Sequence, residues 1–152
     1  MVDQQEKLWT FDSVEAGQVG NETVVDISAE NIAEYARLAL NESPAYQSDA
    51  SGLVAMPTMV LSYAPLLREE IAEANGFVAV EVSKTARSQT PFAKCEIRWF
   101  LPVVAGDTIT GRVEVLEVRS DKPITTLRTS VTRDDRTVVL EGDADCYTMP
   151  LA

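Results

Sequence analysis

The chain has 152 residues, the size of one ordinary domain with one core, and its 45% hydrophobic and 24% charged content sits inside the globular range. A formal charge of −11 argues against nucleic acid or anionic lipid as a partner, since both need a basic face. The chain contains no histidine, which excludes every mechanism that needs an imidazole base or metal ligand within this subunit, Ser-His-Asp, Cys-His and His-ligated zinc sites among them.

The first residues, MVDQQEKLW, are acidic and polar and offer neither a basic n-region nor an apolar h-region, so a cytoplasmic location is expected. After Gly17 and Gly20, the β-branched residues 23–27 predict a strand. Ser28 then offers an N-cap, with Glu30 in the first turn, and Ile32, Ala36, Ala39 and Leu40 recur at helical spacing. That first helix is expected to run from Ala29 to about Leu40. Pro44 stops it continuing, which leaves residues 41–51 as a loop beginning where a helix presents its last carbonyls.

A second helix is expected after Pro57, with Thr58 near its start, running to the Asn75-Gly76 stop and bent at Pro65. Its apolar residues Met59, Val60, Tyr63, Leu66, Leu67 and Ile71 occupy more than one face, as a buried central helix requires. The weakly polar run 52–67 is shorter than the roughly 20 residues that span a bilayer.

From residue 77 the period changes to two. Residues 77–82 alternate; Cys95, Ile97, Trp99 and Leu101 share a face opposite Lys94, Glu96 and Arg98. Residues 108–118, 124–132 and 136–149 alternate in turn, separated by Ala105-Gly106-Asp107, Asp121-Lys122-Pro123 and Asp134-Asp135. Successive strands with short connections predict an antiparallel sheet, and with the apolar helix an α+β layer architecture. Cys95 and Cys146 are expected to be two buried thiols rather than a disulfide.

Two stretches resemble the MaoC-like acyl-thioester hydratases and dehydratases. One is the loop LNESPAYQSD after the YARLAL helix, with the following LVAMPTMVLSY; the other is EIRWFLPVVAGDTITGRVEVLEV, residues 96–118. The resemblance covers about residues 10–149 and implies a single hot-dog domain over residues 1–152: a long curved antiparallel β-sheet wrapped around a central α-helix. It implies an acyl-thioester substrate of the 2-enoyl or 3-hydroxyacyl class, carried by coenzyme A or a carrier protein. No metal or cofactor is implied beyond the coenzyme A or phosphopantetheine that belongs to the substrate.

In that family an Asp and a His five residues later orient and activate water. Asn41 and Tyr46 stand at those positions here, with Ser43 at an intervening family Asn. An amide accepts no proton at neutral pH, a phenol is ordinarily a poor base, and loss of a general acid or base costs roughly 10² to 10⁴-fold in rate. Three readings follow for Asn41, Ser43 and Tyr46. The chain is the non-catalytic half of a heteromeric dehydratase; or it runs altered chemistry, with Asn41 donating to a thioester oxygen, Tyr46 donating or relaying a proton and Glu42 or Asp49 supplying a carboxylate, which suits hydration, isomerisation, another conjugate addition or thioester hydrolysis; or Asn41 and Tyr46 are merely a helix C-terminal residue and a packed aromatic with no chemistry. Hot-dog subunits pair side by side, so a homodimer or a heterodimer with a paralogue is implied.

The resemblance also points to substrate-binding residues. Met56 and Pro57 lead into the central helix, whose first N–H groups face the thioester carbonyl in the family, with Thr58 beside them. Met59 and Tyr63, with Met56, are candidate walls of an acyl pocket. The one net-basic window, Lys84, Arg87, Lys94 and Arg98 against Glu96, supplies Arg87 and Lys94 as candidates for the phosphates of coenzyme A or a carrier arm.

Overall fold

A computed structural model describes residues 6–47, 52–64, 69–85 and 91–147. Five strands form one sheet in the order β2-β5-β6-β7-β4, from β2 (Thr23–Asp26), β4 (Phe92–Trp99), β5 (Thr108–Val118), β6 (Ile124–Arg133) and β7 (Val138–Tyr147). Every pairing within it is antiparallel. The meander β5–β6–β7 follows from the Asp121-Lys122-Pro123 and Asp134-Asp135 turns, while β4 lies at one free edge.

The two-residue period sorts the faces. Ile109, Val113, Val115, Leu127, Val131, Leu140 and Ala144 point inward and are buried. Arg112, Glu114, Arg128 and Asp143 belong to the opposite, polar face, where Arg128 donates two hydrogen bonds to the Asp143 carboxylate. Gly142 sits on the inner face where β4 crosses closely; a Cβ there would overlap the Ile97 side chain and lie 3.0 Å from the Glu96 carbonyl.

Helix α1 (Ala29–Leu38) starts as expected, with Ser28 Oγ accepting the Asn31 N–H at 3.0 Å. It is shorter than its apolar spacing suggests and buries Ile32 and Ala36. The expected single long helix is instead α2 (Pro57–Ser62) and α3 (Glu69–Ala74). Helix α2 closes at Ser62, where the Tyr63 N–H reaches the Val60 carbonyl and the Ala64 N–H reaches Leu61, the three-residue bonds of a tightened last turn. Pro65, Leu66 and Leu67 lie outside the described residues, so the bend expected at Pro65 does too. Helix α3 stops where Asn75-Gly76 predicts: Gly76 takes φ +78, its N–H reaches the Glu73 carbonyl and the Phe77 N–H reaches Ala72.

Together α2 and α3 lie on the inner face and join two apolar clusters. Met59 and Val60 pack with Ile109, Val131 and Leu140, and Ile71 and Ala72 with Val113, Val115 and Leu127. The result is the expected α+β arrangement, an antiparallel sheet curved around helix.

Two further expectations are corrected. Of residues 77–82 only β3 (Val78–Ala79) is strand, and it pairs in parallel with β1 (Leu8–Trp9) outside the main sheet. The Val82 and Ser83 N–H groups turn back to the Ala79 carbonyl, which ends the strand. Cys146 is buried, whereas Cys95 is exposed. Among the described residues β4 is an edge strand, with β7 as its one neighbour in the sheet. No helix among the described residues is long and apolar enough to cross a membrane.

Candidate functional site

The loop after α1 is set by one backbone feature. Leu40 adopts φ +56, its N–H bonds to the Arg37 carbonyl, and the Asn41 N–H returns 2.8 Å to the carbonyl of Ala36. This left-handed turn brings Asn41 back to the start of α2, where its Nδ2 donates to the Met56 sulfur at 3.8 Å. Asn41 Oδ1 accepts the Ser43 N–H at 3.0 Å. Ser43 Oγ in turn accepts the Ala45 N–H at 3.4 Å and caps a single 3₁₀ turn, Pro44–Tyr46. Tyr46 ends half-buried against the cluster that holds Met59 and Val60.

The start of α2 is the second half of the site. Met56 is its N-cap and Pro57 its first residue, a position where the missing N–H costs nothing. The N–H groups of Met59 and Val60 are both committed to the Met56 carbonyl. Thr58 is exposed beside them. Met59 is 1% exposed and Tyr63 half-buried; both belong to the core contacts around α2.

These residues border two different hollows. Tyr46, Pro57 and Val60 line an apolar groove of about 370 Å³ with Trp99, Phe100 and Leu101 at the end of β4. Asn41 and Glu42 line a separate hollow of about 650 Å³ against α1, with Glu30, Glu34 and Arg37. Tyr46 thus shares the groove with Pro57, while Asn41, bonded to the Met56 sulfur, also lines the hollow against α1. The hollow beside Asn41 carries three glutamates against one arginine, a poor lining for a phosphorylated carrier.

Lys94 is held on the outer face of β4, the opposite face from Trp99, 3.7 Å from Glu96. Glu96 also accepts a 2.7 Å bond from Arg98, and these cations hold its carboxyl below the usual range. Lys94 lies away from the groove, and Arg87 and Asp49 fall outside the described residues. Among the described residues no group of three or more His, Cys, Asp or Glu is placed to hold a metal.

The groove adds residues that sequence reasoning did not single out as site walls. Trp99 Nε1 donates to the Pro57 carbonyl at 2.9 Å, tying the end of β4 to the first turn of α2 across 42 positions of sequence. Its signal was the apolar run Trp99-Phe100-Leu101 before Pro102, at a strand's end where a buried strand needs no three large apolar residues in a row. All three are substantially exposed, Trp99 at 44%.

No protein-family model matches the chain, and no curated protein matches it by sequence. Solved structures do resemble it. The unliganded R-hydratase PhaJ1 from Pseudomonas aeruginosa aligns with a TM-score of 0.65 at 18% identity, over 94% of this chain and 91% of its own. A MaoC-like dehydratase from Rhodospirillum rubrum gives 0.65 at 16%, over 94% and 99%. The truncated HadBC complex, a 3R-hydroxyacyl-ACP dehydratase from Mycobacterium tuberculosis, gives 0.60 at 22%, over 88% and 99%. The chain thus has the hot-dog fold that MaoC-like dehydratases and (R)-hydratases share.

Proposed function

We propose that this chain is a hot-dog subunit of the hydratase and dehydratase type that binds an acyl thioester in the cytoplasm and does not itself supply the proton transfers of hydration. The observation that carries this is the chemistry of the Met56–Pro57 corner. The amide of Asn41 meets it with its oxygen committed to the Ser43 N–H, and Tyr46 meets it from the apolar side. The chain has no imidazole to place there, and neither Asn41 nor Tyr46 is a carboxylate. Asn41 and Tyr46 occupy the positions of the Asp and His that the resemblance implies, and Ser43 holds the loop between them.

The acyl chain enters the groove between Tyr46 and Trp99, where only apolar and aromatic groups face it, and the thioester lies over Met56, Pro57 and Thr58. The coenzyme A or phosphopantetheine arm remains outside as part of the substrate, and no other cofactor is required. A second hot-dog subunit, a copy or a paralogue, pairs with this one and supplies the missing acid and base. Among the described residues β4 ends the sheet, an edge where such a partner could add its own strand, and HadBC, a complex of this fold, supports the heteromeric form.

The test is hydration of a short 2-enoyl-coenzyme A. The purified chain is expected to give little or no turnover alone, to support turnover when coexpressed with a hot-dog subunit that carries Asp and His, and to gain activity on Asn41→Asp with Tyr46→His. High wild-type hydration that Asn41→Ala abolishes overturns the proposal in favour of altered chemistry within this subunit. Release of free thiol from a saturated acyl thioester overturns it in favour of hydrolysis.

A further inference from the structure

We infer that the exposed end of α1 is a docking surface for a partner protein, and that it takes a cationic amphipathic segment, apolar side chains flanked by lysine or arginine. The inference goes beyond the acyl-thioester reading and does not depend on it. An apolar patch and the charges around that patch carry it together.

Helix α1 distributes its apolar residues unevenly. Ile32 and Ala36 are buried, but Leu38 is 66% exposed and Leu40 88%, with Ala39 exposed between them. The 3₁₀ turn Pro44–Tyr46 packs beside this helix and adds Pro44 and Ala45, both exposed. Single exposed apolar residues are ordinary on a soluble surface, whereas a group of them at one end of one helix marks an interaction site. Leu40 also lines the hollow of about 650 Å³ against α1, a recess next to the patch for the side chains of an occupant.

Charge selects the occupant. Among the described residues Glu30, Glu34 and Glu42 line that hollow against Arg37, which itself lies 3.9 Å from Glu34. Those carboxylates repel an anionic lipid surface, and a second copy set patch to patch would bring three more glutamates to the same place. A segment with an apolar face flanked by cations covers the leucines and meets the glutamates at the rim, where both ions keep much of their water. Seated there it touches Asn41, whose amide reaches Met56, so it also bears on the loop after α1.

The probe is the synthetic peptide LKKLLKLLKKLLKL, which as a helix carries one leucine face and one lysine face, titrated against the full chain by calorimetry with amide chemical shifts to place it. It is expected to bind with its shifts centred on residues 34–45, and to bind Leu38→Ser with Leu40→Ser about tenfold more weakly, because the apolar area covered is lost. Both leucines are exposed, so the serines leave the core intact. Glu34→Gln with Glu42→Gln is expected to weaken binding about threefold to tenfold and to flatten its salt dependence. Glu114→Gln with Glu117→Gln, which removes the same charge from β5, is expected to leave it within about twofold of wild type.

Equal weakening by the β5 pair assigns the binding to the overall charge of −11 and overturns the inference. Binding that the leucine substitutions leave unchanged overturns it too, as does no binding at all. The same peptide with every lysine replaced by glutamate is expected not to bind, and equal binding of it overturns the cationic class. Self-association of the wild type that Leu38→Ser with Leu40→Ser abolishes gives the patch to a second copy of the chain and overturns the inference. The acyl-thioester reading stands or falls separately, on turnover.

Discussion

Replacing Leu40 by glycine is expected to stabilise the protein, although it deletes a large apolar side chain. Leu40 has φ +56, a conformation in which Cβ crowds the following carbonyl and costs about 1–2 kcal/mol. Its side chain is 88% exposed, so truncation gives up almost no burial. Both hydrogen bonds of the turn, Leu40 N–H to Arg37 and Asn41 N–H to Ala36, are made by backbone and survive the change. Against the relieved strain stands the extra freedom of glycine in the unfolded chain, about 0.4–1 kcal/mol. The balance is a gain of roughly 0.5–1 kcal/mol, or about 1–4 °C in Tm for a chain of this length.

Leu40→Ala is the control, since it removes the same apolar atoms, keeps the Cβ, and is expected to stay within about 0.5 kcal/mol of wild type. Urea denaturation followed by far-UV circular dichroism, at two protein concentrations, gives all three stabilities. A glycine variant less stable than the alanine variant refutes the left-handed turn, and with it the route by which α1 delivers Asn41 to Met56.

Gly142→Ala is expected to cost about 1–3 kcal/mol in the same assay, because its Cβ displaces the end of the Ile97 side chain and stands 3.0 Å from the Glu96 carbonyl and 3.3 Å from the Ile97 Cα, backbone that must give; an unchanged midpoint would mean that β4 is not seated on β7. Glu70 has a carboxyl oxygen without a hydrogen-bond partner, and burial, with Glu69 and Glu73 nearby, raises its pKa above 4.5. The folded state therefore holds that proton more tightly than the unfolded one, so stability falls as the pH rises from 4.5 through the higher folded value. Glu70→Gln should raise stability at pH 7 by under about 1 kcal/mol after solvent screening, and the gain should vanish below 4.5. Asp143 has the opposite sign: the hydrogen bonds from Arg128 hold its pKa below 3.8, so its stabilisation is present above 3.8 and is lost as the pH falls through the lower folded value. Asp143→Asn should cost on the order of 1 kcal/mol at pH 7 and progressively less on acidification, read from urea midpoints across the range.

Where a rule is local, the residues sufficed. Alternation over residues 108–118 and 124–132 marked strands whose inward set, Ile109, Val113, Leu127 and Val131, is the buried set. Ser28 and Asn75-Gly76 marked helix ends because a cap is made within four residues of itself. The same alternation already put Lys94 with Glu96 and Arg98, and that shared face turns away from the groove.

What no local rule contains is where distant segments meet. The Trp99 bond to Pro57 joins residues 42 apart, and the exposure of Cys95 follows from β4 lying at the sheet's edge. Side-chain types at 41 and 46 could be read from the sequence, together with what they are unable to do as bases. Only the folded chain decided that Asn41 returns to Met56, because that depends on the left-handed step at Leu40, a conformation its residue type disfavours and which the backbone bonds to Arg37 and Ala36 accompany.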